Sequence, residues 1–183
     1  MDAAAATRCT RFSFGELARR RCAESPWELR AVRDALGTAV EWLEATYALG
    51  GASGSDAGVV LATVCVLFNP DYAVPQLGLY TSTAVSTADL EAAVPRLAFV
   101  GVASSAAPLD ADGVSRRPLV SFSWSEELGR HAWLVHPCDT ENLLRCRRYD
   151  GERDDVVTLF LRTMANYFPF AGPLLPRTSG ATC

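Results

Sequence analysis

The chain predicts an α+β domain with an antiparallel sheet and helices packed on it, and three observations carry that reading. Amphipathic helical periodicity occupies both ends of the sequence. Between them lie short apolar runs rich in β-branched and aromatic residues. Compact turn sequences, not helix-length crossovers, join those runs, as antiparallel neighbours require. With 183 residues, 49% hydrophobic and 21% charged, the chain has the makings of one domain with a substantial core.

Ser13 and Glu16 form an S-x-x-E capping signal, and Phe14, Leu17, Ala18 and Cys22 share a stripe, so residues 14–24 read as a helix. Ser25-Pro26-Trp27-Glu28 repeats the signal with proline at the first helical position. Leu29, Val32, Leu36, Val40, Leu43 and Tyr47 then keep a helical spacing as far as Gly50-Gly51, and this periodicity predicts a second, long helix. Residues 50–58 read as a glycine and serine linker, and 59–68 as a buried strand. Asn69-Pro70-Asp71 is turn chemistry, and 75–80 resumes an extended pattern, giving an antiparallel pair. Residues 77–81 read as an open edge, a generic site for strand pairing.

Ser86 or Thr87 caps a short helix that ends near Pro95, residues 97–102 are extended, and 110–117 form a polar loop. Residues 119–124 and 132–135 make a second hairpin through the turn-prone 126–130, which delivers the chain to His136-Pro137-Cys138. Asp139 or Thr140 caps a helix through Leu143, Leu144 and Arg147. A last amphipathic helix carries Val156, Val157, Phe160, Leu161, Met164 and Phe168 before Pro169 stops it. The fold is expected over residues 1–176, with 177–183 as a loose tail.

The formal charge of −4 gives no global basic field for a phosphate backbone or an anionic lipid surface, so neither nucleic acid nor a membrane surface is an expected partner. All 17 basic residues are arginine, which removes lysine Schiff-base and lysine general-base chemistry. Cys9, Cys22, Cys65, Cys138, Cys146 and Cys183 are scattered, with no C-x-x-C pair and two histidines in the chain. That pattern predicts neither a disulfide framework nor a zinc site, and no cofactor is expected. The start, MDAAAATRCTRF, lacks a secretory pattern, and the apolar run 58–68 is too short to span a bilayer, so a reducing cytoplasmic location is expected.

Reactive residue types concentrate in residues 131–146. Cys138 falls at the end of a strand and the start of a helix, where unpaired N–H groups and the helix dipole lower a thiol pKa and make a nucleophile. Arg145, Arg147 and Arg148 read as a solvated helix face, and His136 as a structural residue of the turn. Cys9, Cys22, Cys65 and Cys146 read as buried, inert thiols.

Leu128-Gly129, Trp133-Leu134-Val135-His136-Pro137-Cys138 and Thr140 resemble the strand and HPCxT motif of the autophagy E2-like conjugating enzymes, in particular the autophagy-related protein ten family. Tyr72, Val74, Pro75, Leu77 and Leu79 are similar to its Y-x-V-P-x-L-x-[LF] strand pair, and Thr87-Ala88-Asp89-Leu90-Glu91 to the short helix that follows. Residues 156–168 and Gly172-Pro173-Leu174-Leu175-Pro176 are similar to its closing helix and Gly-Pro/Leu-Pro end. The resemblance covers most of the chain after Val59 and implies an E2-like (UBC-like) domain over residues 1–176. It also implies two short strands between Trp27 and Tyr47, against the helical periodicity there, with Trp27 matching an early family tryptophan. Where the family has an E-H-P type turn this chain has Trp124-Ser125-Glu126, so partner contacts made there do not carry over.

The activity implied is covalent relay. Cys138 would take a ubiquitin-like modifier (autophagy-related protein twelve) as a thioester from an E1-like activating enzyme (autophagy-related protein seven) and pass it to a lysine of a target (autophagy-related protein five). Thr140 and the backbone N–H groups of the following helix are the expected oxyanion donors or orienting groups, with Asn142 nearby. A second implied reading is conjugation to phosphatidylethanolamine, as by the larger autophagy-related protein three, which has histidine where this chain has Thr140 and a long acidic insertion absent here. Different classes are an E2-like binding module with an unreactive Cys138, and a cysteine hydrolase using His131 or His136 as base.

Overall fold

A computed structural model describes residues 7–24, 27–49, 60–94, 96–100, 117–149 and 154–167. The linker at 50–58, most of the 110–117 loop, Phe168, the Gly172 to Pro176 match and the 177–183 tail lie outside them. The described architecture is α+β: a seven-stranded, mostly antiparallel sheet and four helices.

Helix α1 (Arg11–Glu24) begins three residues before the expected start. Thr10 and Ser13 cap it reciprocally: the Thr10 N–H donates to Ser13 Oγ at 2.9 Å and the Ser13 N–H to Thr10 Oγ1 at 3.1 Å. A two-hydroxyl box thus replaces the Ser13/Glu16 signal. Phe14 and Ala18 on its inner face are fully buried.

The long helix expected after Trp27 is a hairpin instead, β1 (Glu28–Arg33) and β2 (Ala39–Leu49), paired antiparallel from Glu28↔Glu44 to Arg33↔Ala39. Asp34 makes the turn. Its Oδ1 accepts the Leu36 and Thr38 N–H groups at 2.9 and 2.8 Å, and Gly37 adopts φ +76°, which a side-chain-bearing residue resists. The helical spacing was produced by residues that do not share a buried face: Val32 is 44% exposed and Leu36, at the turn, 91%. In β2 the working period is two, with Leu43 and Ala45 buried on the helix side and Trp42 and Glu44 on the other. This is the two-strand arrangement that the family resemblance implied for the segment.

Strands β3 (Val60–Asn69) and β4 (Val74–Thr81) extend the meander with register Asn69↔Val74 to Ala62↔Thr81. The expected antiparallel pair is therefore present, but β4 is not an edge: the sheet order is β1-β2-β3-β4-β7-β6-β5. Helix α2 (Thr87–Ala93) is capped by Ser86, whose side chain accepts from the Asp89 N–H. After it, β5 (Ala98–Phe99) pairs parallel with β6 (Leu119–Ser125), and β6 turns through Gly129, φ +61°, into β7 (Arg130–Val135).

Helix α3 (Pro137–Tyr149) follows β7 after a single residue, and α4 (Val156–Ala165) closes the described chain with Asp155 as its cap. α4 is buried nearly all round, packing against α1, α3 and β4. Its Phe160, Leu161 and Met164 join Phe14, Leu43, Val64, Val66, Leu77, Leu79 and Leu144 in the core. Each such side chain contributes about 1.5–3 kcal/mol on burial. The core holds β4, β7 and α3 in fixed relation, and the candidate site lies where their ends meet.

Candidate active site

His136 is the one residue between β7 and α3, and its position explains the local geometry. Pro137 is the first helical residue, where its missing N–H costs nothing. His136 is then the N-cap, in place of the expected Asp139 or Thr140. Its carbonyl accepts the Asp139 N–H at 3.1 Å and the Thr140 N–H at 3.3 Å, and its Nδ1 accepts the Cys138 N–H at 3.3 Å. A backbone donor on Nδ1 makes that nitrogen the unprotonated one, so the neutral ring carries its proton on Nε2. The strand side is fixed as well, since the His136 N–H donates to Leu119 O at 2.8 Å.

Cys138 sits on the first turn of α3, half-buried, with Sγ against His136 Nδ1 and 4.0 Å from Asp139 Oδ1. The expectation of a lowered thiol pKa is reversed. Partial burial and the Asp139 carboxylate raise it, Glu141 adds to them, and the backbone N–H groups of Asp139 and Cys138 oppose without prevailing.

The same cap changes the expected oxyanion donors. The N–H groups of Cys138, Asp139 and Thr140 are all engaged by His136. Thr140 itself is fully buried, and its Oγ1 has no partner among the described residues, so its hydroxyl lies within the fold. Asn142, one turn beyond Cys138, is exposed. Asp139 ties α3 to the sheet by accepting the Leu119 N–H at 2.8 Å, while Glu141 pairs with Arg8 at 3.0 Å and Arg145 at 3.1 Å. Arg145 is thus a helix-face residue with an acidic partner.

Two residues outside the expected site approach it. Tyr72, in the β3–β4 turn, lays its ring edge-on to His136 with centroids 6.3 Å apart at 75°. Ala73, next to it, has φ 55°, the one non-glycine residue with positive φ among those described. Its carbonyl accepts the Cys9 N–H at 2.8 Å, which pins the turn to the segment before α1. The turn signal at Asn69-Pro70-Asp71 located this loop in the sequence, but only the pairing of β4 with β7 brings it to the cysteine.

The second histidine lies elsewhere. His131 is near the start of β7, stacked on Phe122 at 5.4 Å and edge-on to Trp124 at 5.3 Å, about 13 Å along the strand from Val135 at its other end. His131, Phe122 and Trp133 flank a groove of about 700 Å³ with the 80–87 segment, remote from the thiol. His136 is therefore the sole histidine at Cys138, and among the described residues no carboxylate hydrogen-bonds it. Of the other cysteines, Cys65 is fully buried and Cys9 and Cys22 half-buried, whereas Cys146 is exposed, against expectation. Burial pushes Cys9 up to about 12. Among the described residues no cluster of His, Cys, Asp and Glu has the makings of a metal site, and no helix is long and apolar enough to cross a membrane. Comparison with protein-family models, curated proteins and solved structures finds no match.

Proposed function

We propose that the chain is an E2-like conjugating enzyme of the autophagy-related protein ten type, with Cys138 carrying a ubiquitin-like modifier as a thioester. The observation that carries this is the environment of Sγ: a half-buried thiol with a raised pKa, touching one histidine that no carboxylate orients among the described residues. A hydrolytic cysteine requires the opposite, a thiolate stabilised by an imidazolium and an oriented base. A thiol of high pKa is a poor leaving group, so its thioester resists water yet yields to a strong amine nucleophile.

In charging, the Cys138 sulfur attacks the carbonyl carbon of the E1-bound modifier's terminal glycine, and the thiol proton passes to His136 Nδ1. The new S–C bond forms, the E1 S–C bond breaks, and the E1 sulfur leaves as thiolate. In discharge a neutral lysine amine of the target attacks the same carbon. The amide bond forms, Cys138 leaves, and a proton returns to its sulfur. The absence of lysine from all 183 residues leaves no side-chain amine in this chain to consume the intermediate.

The test is charging with the cognate E1, ATP and modifier, followed by a chase. The adduct should be thiol-sensitive, should persist without target, and should discharge onto free lysine without forming a thiol-resistant self-adduct. Rapid release of free modifier into water would contradict the carrier role, and abundant resistant self-adduct would contradict the protective effect of the lysine-free sequence.

A further inference from the structure

Resting on the acyl-carrier reading, we infer that Gln76 is a positioning residue for Cys138, its side-chain amide coupling the Tyr72 turn to the β7 carbonyl that precedes His136.

The sheet is thin at this point. β4 and β7 pair only at Gly78↔Leu134 and Leu79↔Trp133. Continuing the register two residues toward the cysteine would set Gln76 opposite His136, but the backbone ladder stops short of it. The Gln76 side chain takes over that connection. Its Nε2 donates to Val135 O at 2.9 Å, and its Oε1 accepts from Asn69 Nδ2 at 3.1 Å. Asn69 Oδ1 in turn accepts the Tyr72 N–H at 3.1 Å, and the Tyr72 ring rests on His136.

One buried amide therefore fixes His136 twice. Through Val135 O it holds the backbone from which His136 and Cys138 emerge, and through Asn69 it holds the turn whose tyrosine contacts the imidazole. Gln76 is 9% exposed, so water has little access to replace either bond. A leucine would fill much of the volume but leave Val135 O and Asn69 Nδ2 unpaired. The relief is a shift of the strand end or the turn, and either one moves Nδ1 relative to Sγ. Displacements of about 1 Å at a reacting pair are worth up to about a hundredfold in rate. No contact between Gln76 and the modifier is required: the effect passes entirely through His136.

The experiment compares wild type, Gln76→Leu and Asn69→Ala in the full chain. Alkylation by iodoacetamide is followed against pH at peptide resolution, with the exposed Cys146 as internal reference and thermal unfolding recorded alongside. The expected result for Gln76→Leu is a downward shift of the Cys138 alkylation midpoint, because the thiol loses its acceptor at Nδ1, with Cys146 unchanged and E1-dependent charging about tenfold slower. Asn69→Ala should move Cys138 the same way, and E1-dependent charging should fall in step for both. A cooperatively folded Gln76→Leu protein with the wild-type Cys138 profile overturns the proposal. Should that variant not fold, a wild-type profile in Asn69→Ala overturns it equally. Absence of charging in the wild type, with the alkylation profile displaced as expected, overturns the acyl-carrier reading while the positioning role stands.

Discussion

Replacing Asp139 by asparagine isolates the charge that adds to burial in raising the Cys138 thiol pKa. Asp139 Oδ1 stands 4.0 Å from Sγ. At that separation a unit charge pair costs about 1 kcal/mol in the water limit, the lower bound for a half-buried thiol still open to solvent. Removing the carboxylate charge therefore lowers the thiol midpoint and raises the thiolate fraction at pH 7 about fivefold. Intrinsic nucleophilicity falls with pKa, which returns a factor of about two, so iodoacetamide should react about two- to threefold faster. Asparagine retains an oxygen for the Leu119 N–H, so the tie between α3 and β6 survives. The same substitution should shorten the thioester's lifetime in water, because the sulfur becomes a better leaving group. Peptide-resolved alkylation across pH 6–10 checks both sign and size. A rate equal to or below wild type, or a midpoint moved upward, would refute the contribution of the Asp139 charge, which adds to burial in raising the thiol pKa.

Other consequences are independent of the proposed activity. Ala73→Gly should lie within about 0.5 kcal/mol of wild type in chemical denaturation, since relief of the φ 55° conformation offsets the entropy glycine adds to the unfolded chain; a loss of 1 kcal/mol or more would mean the turn is unstrained. Asp155→Ala should cost about 1–2 kcal/mol, because Asp155 caps α4 through the Thr158 N–H at 2.9 Å and pairs with Arg21 at 3.0 Å. Burial opposes ionisation of Asp155, but Thr158 and Arg21 prevail and hold its carboxyl below the usual range. Its stabilising effect is thus present above the unfolded-state pKa and lost as pH falls through the folded one, and the variant should show a shallower acid unfolding curve. Burial pushes Cys9 and Tyr47 up to about 12. Groups raised on folding stabilise fully below their unfolded pKa, so stability should decline from about pH 9 toward 12, and Cys9→Ala should flatten that limb in denaturant titrations at successive pH values.

Where neighbouring residues determined the outcome, the sequence was informative. Ser86 before Thr87, the apolar run ending at Phe68 and the turn through Gly129 each carry their own local instruction, and the observed elements follow it. The segment after Trp27 misled because Val32 and Leu36 kept a 3–4 spacing without sharing a buried face. The correct cue was local but outweighed: Asp34 and Gly37 make a hairpin turn, and helical counting runs straight through it. Cys138 was legible as the residue at a strand–helix junction. Its electrostatics were not, because they depend on burial in the fold and on Asp139 standing beside the sulfur while it holds the Leu119 N–H. Gln76 and Tyr72 are more than sixty residues from Cys138 in the chain, and it is the β4–β7 pairing that brings them beside it.

The central claim is that the Cys138 sulfur carries the acyl group. Wild type and Cys138→Ser, each incubated with E1, ATP and modifier, should be separated under reducing and non-reducing conditions. The account predicts an adduct on wild type that thiol removes, and on the serine variant an oxyester that thiol leaves intact and alkali cleaves. A thiol-sensitive adduct of undiminished yield on Cys138→Ser would place the acyl group on another cysteine and contradict it.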